Sequence, residues 1–422
     1  MRTRVVLGAL FVFVVCFAVF AISRILPPAP YGLADDWRVF VAASHVITQG
    51  HSPYDASAMH AGEQAAQFYP SVQPSLDDFI DLPIVAVLLR AVTWLPYWTG
   101  FALFTAAGLV ATAATSHGWM RAQGWRRTAP WVIGAVCSWP VLLGFFSGQF
   151  DWLLLAGTVG ALLLLRRNRP IAAGLAIAVV LLKPHLLWPL PLLLAASWNA
   201  GLPRRRFIAA AALVLAGGIG MGFLLVPGAT QFFTHVALFG SRVGAVQPDL
   251  AGLPGMLQHL PGGGVFSLVV TATGIAAVIA LAVLAMRHPS SSFELRATFV
   301  LTAVAVWLAC APYAHPNDDV LLYPLIAVFS GVEGRNLYQR PLLLAAVAAT
   351  VLLPVVWPFH VISVPITPLA VTLVAVCGVQ HLRALLRRER DDSVGERNRR
   401  GRVLGVVVEP ASRLSSQTAG SH

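Results

Sequence analysis

The chain has 422 residues, 57% hydrophobic and only 11% charged, too few charges for a water-soluble protein of this length. Its net charge is +11, but the arginines lie between apolar runs, where they orient a membrane protein, so nucleic-acid binding is set aside. Cys16, Cys137, Cys310 and Cys377 all sit inside apolar runs without metal-ligand spacing, which excludes a disulfide framework or a zinc site.

Apolar runs long enough to cross a hydrocarbon core of about 30 Å predict an all-α, polytopic membrane protein. The runs are continuous rather than alternating, which argues against a β-barrel. In chain order the first span is 5–26, preceded by Arg2 and Arg4. It is longer than a signal-peptide core and has no small-residue cleavage site, so an uncleaved span is expected. A long outer loop follows at about 27–82. Leu82 to Pro96, "LPIVAVLLRAVTWLP", reads as a helix on the outer surface. Further spans are expected at 97–117, 130–147, 151–165, 170–182, 185–198 and 207–226. A Gly- and Pro-rich outer loop runs from about Pro227 to Gly263. The last spans are 264–286, 297–312, 319–332, 341–357 and 363–382, giving about twelve helices in a domain covering 1–382. Residues 383–422 read as a basic, disordered cytoplasmic tail.

This arrangement places 24 of the 29 Lys and Arg on the cytoplasmic side. The outside keeps only Arg24, Arg38, Arg90, Lys183 and Arg242. Such an asymmetry sets topology in membrane proteins. Both termini are then cytoplasmic, and the outer face is acidic.

Four polar clusters interrupt apolar sequence, and all four fall at the outer face: "ADDW" (34–37), "SGQFDW" (147–152), "LKPHLLWP" (182–189) and "PYAHPNDD" (312–319). Ionisable groups near a bilayer are costly, so each marks a candidate site. Asp35 and Asp36 precede the helix that "WRVFVAASHVI" predicts. The plain reading is a helix cap; the chemical reading is a general base beside an acceptor hydroxyl. Lys183 is the only lysine in the chain. It either snorkels to the interface or offers a point cation to a phosphate, with His185 two residues on. Pro184 breaks the helix there and frees backbone groups to face a cavity. His315 is either an interfacial loop histidine or a donor to a phosphate or sugar hydroxyl. Asp318 and Asp319 orient it or cap the next helix. Gln149 and Asp151 complete the set, although Gly148 can be explained by a tight turn alone. No phosphate-binding glycine loop, HExxH, GxSxG or CxxC motif is present.

"DWRVFVAASHVITQGHSPYD" resembles the first outer loop of the glycosyltransferase 87 family of GT-C membrane glycosyltransferases. "GQFDWLLLAG", "RRNRPIAAGLAIAVVLLKPHLLWPLPLLL" and "PYAHPNDDVLLYPL" are similar to its central and late stretches. Where the family has "YPP", this chain has "YPSVQPSLDD". The resemblance implies a GT-C-like bundle and an inverting transfer of a sugar, often mannose, from a polyprenyl-phosphate donor. The acceptor would be a glycolipid or polysaccharide at the outer face of the cytoplasmic membrane. It implies Asp36 as base with Asp35 as alternate. It further implies a donor-phosphate site among Lys183, His185, His315, Arg38, Gln149 and Asp319, with membrane lipid around it; the sequence offers no clear two-carboxylate cation site, so no cofactor is expected and a divalent metal is not favoured. The alternative from another class is a lipid or polysaccharide transporter, but the inverted repeat common in such folds is not visible.

Overall fold

The structure is a computed structural model, which describes residues 34–65, 79–91, 94–126, 128–198, 201–246, 250–258, 260–288, 292–330 and 360–407. Among the described residues every regular element is a helix. The expected spans 5–26 and 341–357 lie outside them.

The long first loop carries two helices, α1 (Asp35–Thr48) and α2 (Ala56–Ala65). The segment expected at the outer surface forms α3 (Pro83–Leu89), seven residues or about 10 Å, too short to cross a bilayer. Its apolar face is buried against α1. Then comes α4 (Tyr97–Ala122), 26 residues beginning directly after Pro96.

The expected span 130–147 is two helices, α5 (Ala129–Val136) and α6 (Trp139–Ser147). Pro140 lies in the first turn of α6; a proline ring cannot donate to the preceding turn and clashes with it, so the helix restarts there. α7 (Asp151–Arg166) is continuous. The expected pair 170–182 and 185–198 is further divided: α8 (Pro170–Ala176), a 3-10 turn at Ile177–Leu181, α9 (Pro184–Leu187) and α10 (Pro189–Ser197). Each of the three α segments opens on a proline, the residue that fits a first turn and interrupts an interior.

α11 (Leu202–Leu225) is followed by α12 (Gln231–Val246) and α13 (Leu253–Leu257), in the segment expected as the second outer loop. α14 (Gly263–Arg287) and α15 (Phe293–Cys310) come next; the Ser292 hydroxyl caps α15 by accepting from the Leu295 amide at 3.2 Å. The expected span 319–332 begins as a 3-10 segment, Pro316–Leu322, and continues as α16 (Tyr323–Ser330). α17 (His360–Val407) closes the described chain. Residues 383–407 are therefore helical, which corrects the expectation of a disordered tail for that stretch. Its Arg, Leu and Glu residues are strong helix formers.

Among the described residues five helices are long and apolar enough to cross a membrane: α4, α11, α14, α15 and the Thr367–Asp391 part of α17. They correspond to the expected spans 97–117, 207–226, 264–286, 297–312 and 363–382, and the chain is a membrane protein. A total near twelve is not shown by the described residues. α15 is the centre of the bundle: 72% of its apolar window is buried, against 11% for α11. It packs on α17, α14 and α10, while α11 rests on α8 and α3 and turns Leu213 and Leu224 outward. Leucines on that outer side suit hydrocarbon rather than water.

Candidate active site

The site begins where α1 starts. Ala34 adopts a left-handed backbone, φ 68°, an uncommon conformation for a residue with a side chain. Two bonds hold it there: its amide donates to the Phe146 carbonyl at 2.7 Å, and the Tyr97 hydroxyl donates to its carbonyl at 3.0 Å. Ala34 is thus the cap of α1, and Asp35 and Asp36 are its first two residues; the cap makes no side-chain hydrogen bond. This corrects the plain reading of either aspartate as the cap. The side chain of Asp35 lies outside the described part. Asp36 is partly buried.

The next residue, Trp37, is buried between Phe101 and Phe104 of α4. Against it lies Gly148, which ends α6 at φ +82°; a Cβ on Gly148 would sit 2.5 Å from the Trp37 Cβ. Only glycine satisfies both the conformation and the approach. Two of the four sequence clusters, 34–37 and 147–152, are therefore packed into one piece.

Below them is a buried polar floor. Asp151 opens α7 and is 2% exposed. Gly144 makes room for its carboxylate, since a Cβ there would stand 2.5 Å from Asp151 Oδ2. Lys183 occupies the break between the 3-10 turn and α9 and is also buried. Its ammonium donates to Asp151 Oδ1 at 3.1 Å and to Asp318 Oδ1 at 2.7 Å. Asn317 Nδ2 donates to Asp151 Oδ2 at 2.8 Å. With both carboxylates ionised this trio carries one net negative charge. Such a group is poorly suited to attract a phosphate, whereas a lone lysine in the sequence suggests a free cation.

Around the floor stand more accessible groups. The rings of His185, Tyr313 and His315 form a row, with centroids 5.5 Å and then 4.8 Å apart. His185 is exposed, and Tyr313 and His315 are partly buried. The Trp307 indole of α15 donates to the His185 carbonyl at 2.7 Å and fixes the α9 backbone. Asp81, partly buried, is held by its own carbonyl, which accepts from the Tyr54 hydroxyl at 2.8 Å. Burial pushes the Asp81 carboxyl up to about 7; Lys183 opposes the rise, and the charges of Asp36 and Asp318 add to it. Burial and then the Asp36 charge likewise hold the Tyr313 hydroxyl above its ordinary range. Asp36, Asp81, Tyr313 and the lysine trio therefore share one electrostatic field.

The remaining expected residues are placed differently. Arg38 pairs with Glu63 of α2, 3.6 Å away. Gln149 is partly buried, and its Oε1 has no hydrogen-bond partner among the described residues. Asp319 is buried, and its Oδ1 also has no hydrogen-bond partner among the described residues. Asp81, Tyr313 and Asn317 were not singled out by sequence. Asp81 was visible only as one of several outer acids; its departure from its neighbours Asp77 and Asp78 is that it directly precedes the apolar run of α3. A separate apolar cavity of about 160 Å³ lies toward the C-terminal end of α4, lined by Trp119, Met120, Trp131 and Leu155 among others. Phe104, which meets Trp37, and Trp119, which lines this cavity, lie about four turns apart along α4.

The model of Glycosyltransferase family 87 matches residues 79–312, more than half of the chain. The matched stretch includes Asp81, Gln149, Asp151, Lys183 and His185; Asp36 precedes it, and His315 and Asp318 follow it. No curated protein matches the chain.

Proposed function

Because the chain belongs to glycosyltransferase family 87, we propose that it moves a sugar, mannose in the first instance, from a polyprenyl-phosphate donor to a glycolipid or polysaccharide acceptor. The transfer takes place at the outer face of the cytoplasmic membrane and inverts the anomeric centre. The observation that supports this best is the rim itself: a carboxylate on α1 and a row of hydrogen-bonding rings sit in one field above a buried ionic floor.

In this reading the acceptor hydroxyl attacks the anomeric carbon as the bond from that carbon to the phosphate oxygen breaks. Asp36 takes the hydroxyl proton, and the polyprenyl phosphate leaves with the electron pair. His185 and His315 donate hydrogen bonds to the phosphate, where negative charge grows in the transition state. Tyr313, between them, keeps both rings in place. Gln149, with an unengaged amide oxygen, contacts a sugar hydroxyl. Lys183 is already committed to two carboxylates and stays beneath the donor. Arg38 serves the α1–α2 contact through Glu63. The polyprenyl chain lies among apolar helices, and the chemistry as written needs no metal.

The test is transfer by the purified protein in lipid nanodiscs supplied with labelled polyprenyl-phosphate mannose and extracted envelope lipids. Asp36→Asn is nearly isosteric and should lower turnover by about 10²–10⁴ with donor binding retained, the usual cost of losing a general base. Asp35→Asn should keep measurable activity. Equal activity in Asp36→Asn and the parent protein would move the base elsewhere. Failure of the parent to transfer sugar from any polyprenyl-phosphate donor would remove the reading as a whole.

A further inference from the structure

The buried lysine is linked to the rim through a single carboxylate. Asp318 receives the Lys183 ammonium on Oδ1 at 2.7 Å and the His315 backbone amide on Oδ2, also at 2.7 Å. Its own amide returns to the His315 carbonyl at 3.0 Å. The backbone of His315 is thus clamped on both sides by one residue, and that residue's carboxylate has one oxygen on each neighbour. If Asp318 turned about its side-chain bonds, the bond to His315 would go. What stops it turning is the ammonium, itself pinned by Asp151 of α7 at 3.1 Å and seated at the proline break before α9. Asp151 is in turn fixed by Asn317, two residues beyond His315. The loop is supported from behind by the Ala251 amide, which donates to the Ala314 carbonyl at 2.7 Å. On the other side the His315 backbone bonds Asp318, and Asn317 ties the same loop to Asp151.

We propose that Lys183 is a positioning residue, which sets the backbone of His315 through Asp318 and so aims its ring at the reacting centre, without touching the donor. The proposal rests on the reading of His315 as a donor-side group. It assigns the only lysine of the chain a purpose that a surface-snorkelling or phosphate-binding lysine would not have. A buried cation satisfied by two carboxylates from separate elements fixes those elements relative to one another. It accounts for the join of three sequence clusters, 147–152, 182–189 and 312–319, at one atom.

The experiment uses the full chain in nanodiscs. Lys183→Met/Asp151→Asn removes the ammonium together with one carboxylate, so no extra charge is stranded, and Asp318 remains to bond His315. Hydrogen exchange followed by mass spectrometry should quicken across 312–319 and stay unchanged in α4. Turnover should fall at least about tenfold, while the donor KM changes less than about twofold, the split expected when a transition-state contact is lost. Adding His315→Ala should cost little beyond the larger single effect, because residues acting as one unit are not additive. Lys183→Arg, which restores a cation between the carboxylates, should recover part of the turnover and the slow exchange. If the paired variant does not yield monodisperse protein, Lys183→Arg carries the same comparison with His315→Ala. Unchanged exchange at 312–319 would overturn the link. Losses that multiply with His315→Ala, or a donor KM that carries the whole effect, would instead put Lys183 in direct contact with the donor. Quickened exchange with His315→Ala fully active would leave the clamp in place but remove His315, and with it this role of Lys183, from the reaction.

Discussion

Asp36 and Asp81 are 45 residues apart in sequence, yet the charge of Asp36 raises the energetic cost of charge on Asp81. A carboxylate whose pKa is raised by burial binds its proton more tightly in the folded than in the unfolded state. Its contribution therefore favours folding at low pH and is lost as pH rises from about 4, the unfolded value, through about 7. Asp81→Asn should remove that dependence. Thermal unfolding in detergent at pH 5 and pH 8 should show the variant gaining on the parent at the higher pH; a constant difference between them would count against it. Gly148→Ala tests the seat of Asp36. It combines a left-handed residue with a Cβ clash against Trp37, and should destabilise by about 1–3 kcal/mol and lower turnover. Circular dichroism melts and transfer assays on the same preparation would check both. At this scale the sequence displays the polar clusters clearly, because a charge inside apolar sequence has few innocent explanations. It does not display that Lys183 is neutralised, since its partners lie 32 and 135 residues away, and no local pattern encodes such pairing.

The elements most altered between expectation and structure are the proline-rich ones. Residues 170–198 were expected as two spans and form four short helical segments, with Pro170, Pro184 and Pro189 each opening a helix. Hydropathy averages over a window and passes smoothly across such breaks, although the prolines that cause them are plainly present. The interruption is held by α15: Trp307 bonds the His185 carbonyl and meets the Trp188 ring edge-on at 5.1 Å. Trp307→Phe keeps most of the packing and loses the bond, so it should cost about 1 kcal/mol. Trp307→Ala also opens a cavity and should cost about 3–5 kcal/mol. Denaturation of the two variants would separate the contributions; equal losses would show that the hydrogen bond dominates. The long uninterrupted helices, by contrast, were legible. α4, α11, α14 and α15 begin within about five residues of their expected starts, because a continuous apolar run without interior proline has one stable form in hydrocarbon.

For the whole molecule, composition alone fixes the membrane class, and the arginine distribution leads us to expect both ends of the chain on the cytoplasmic side. Single cysteines introduced at Ser57 and Ser415, after replacement of the four native ones, test this. An impermeant thiol reagent applied to intact cells should label the first and spare the second; labelling of Ser415→Cys from outside would invert the topology. The convergence of the site could not be deduced in the same way, because it depends on how helices distant in sequence pack around α15. The lysine trio also bears on how such a chain is made. An ionised residue that enters a bilayer without a partner is costly. Asp151 and Lys183 emerge from the ribosome only 32 residues apart and can enter the bilayer as a neutral couple. Asp318 is synthesised 135 residues after Lys183, when the couple is already in place, and it brings the excess negative charge with it. The order of the three residues along the chain thus lets the ionic floor assemble during synthesis without the lysine ever waiting alone in lipid for its last partner.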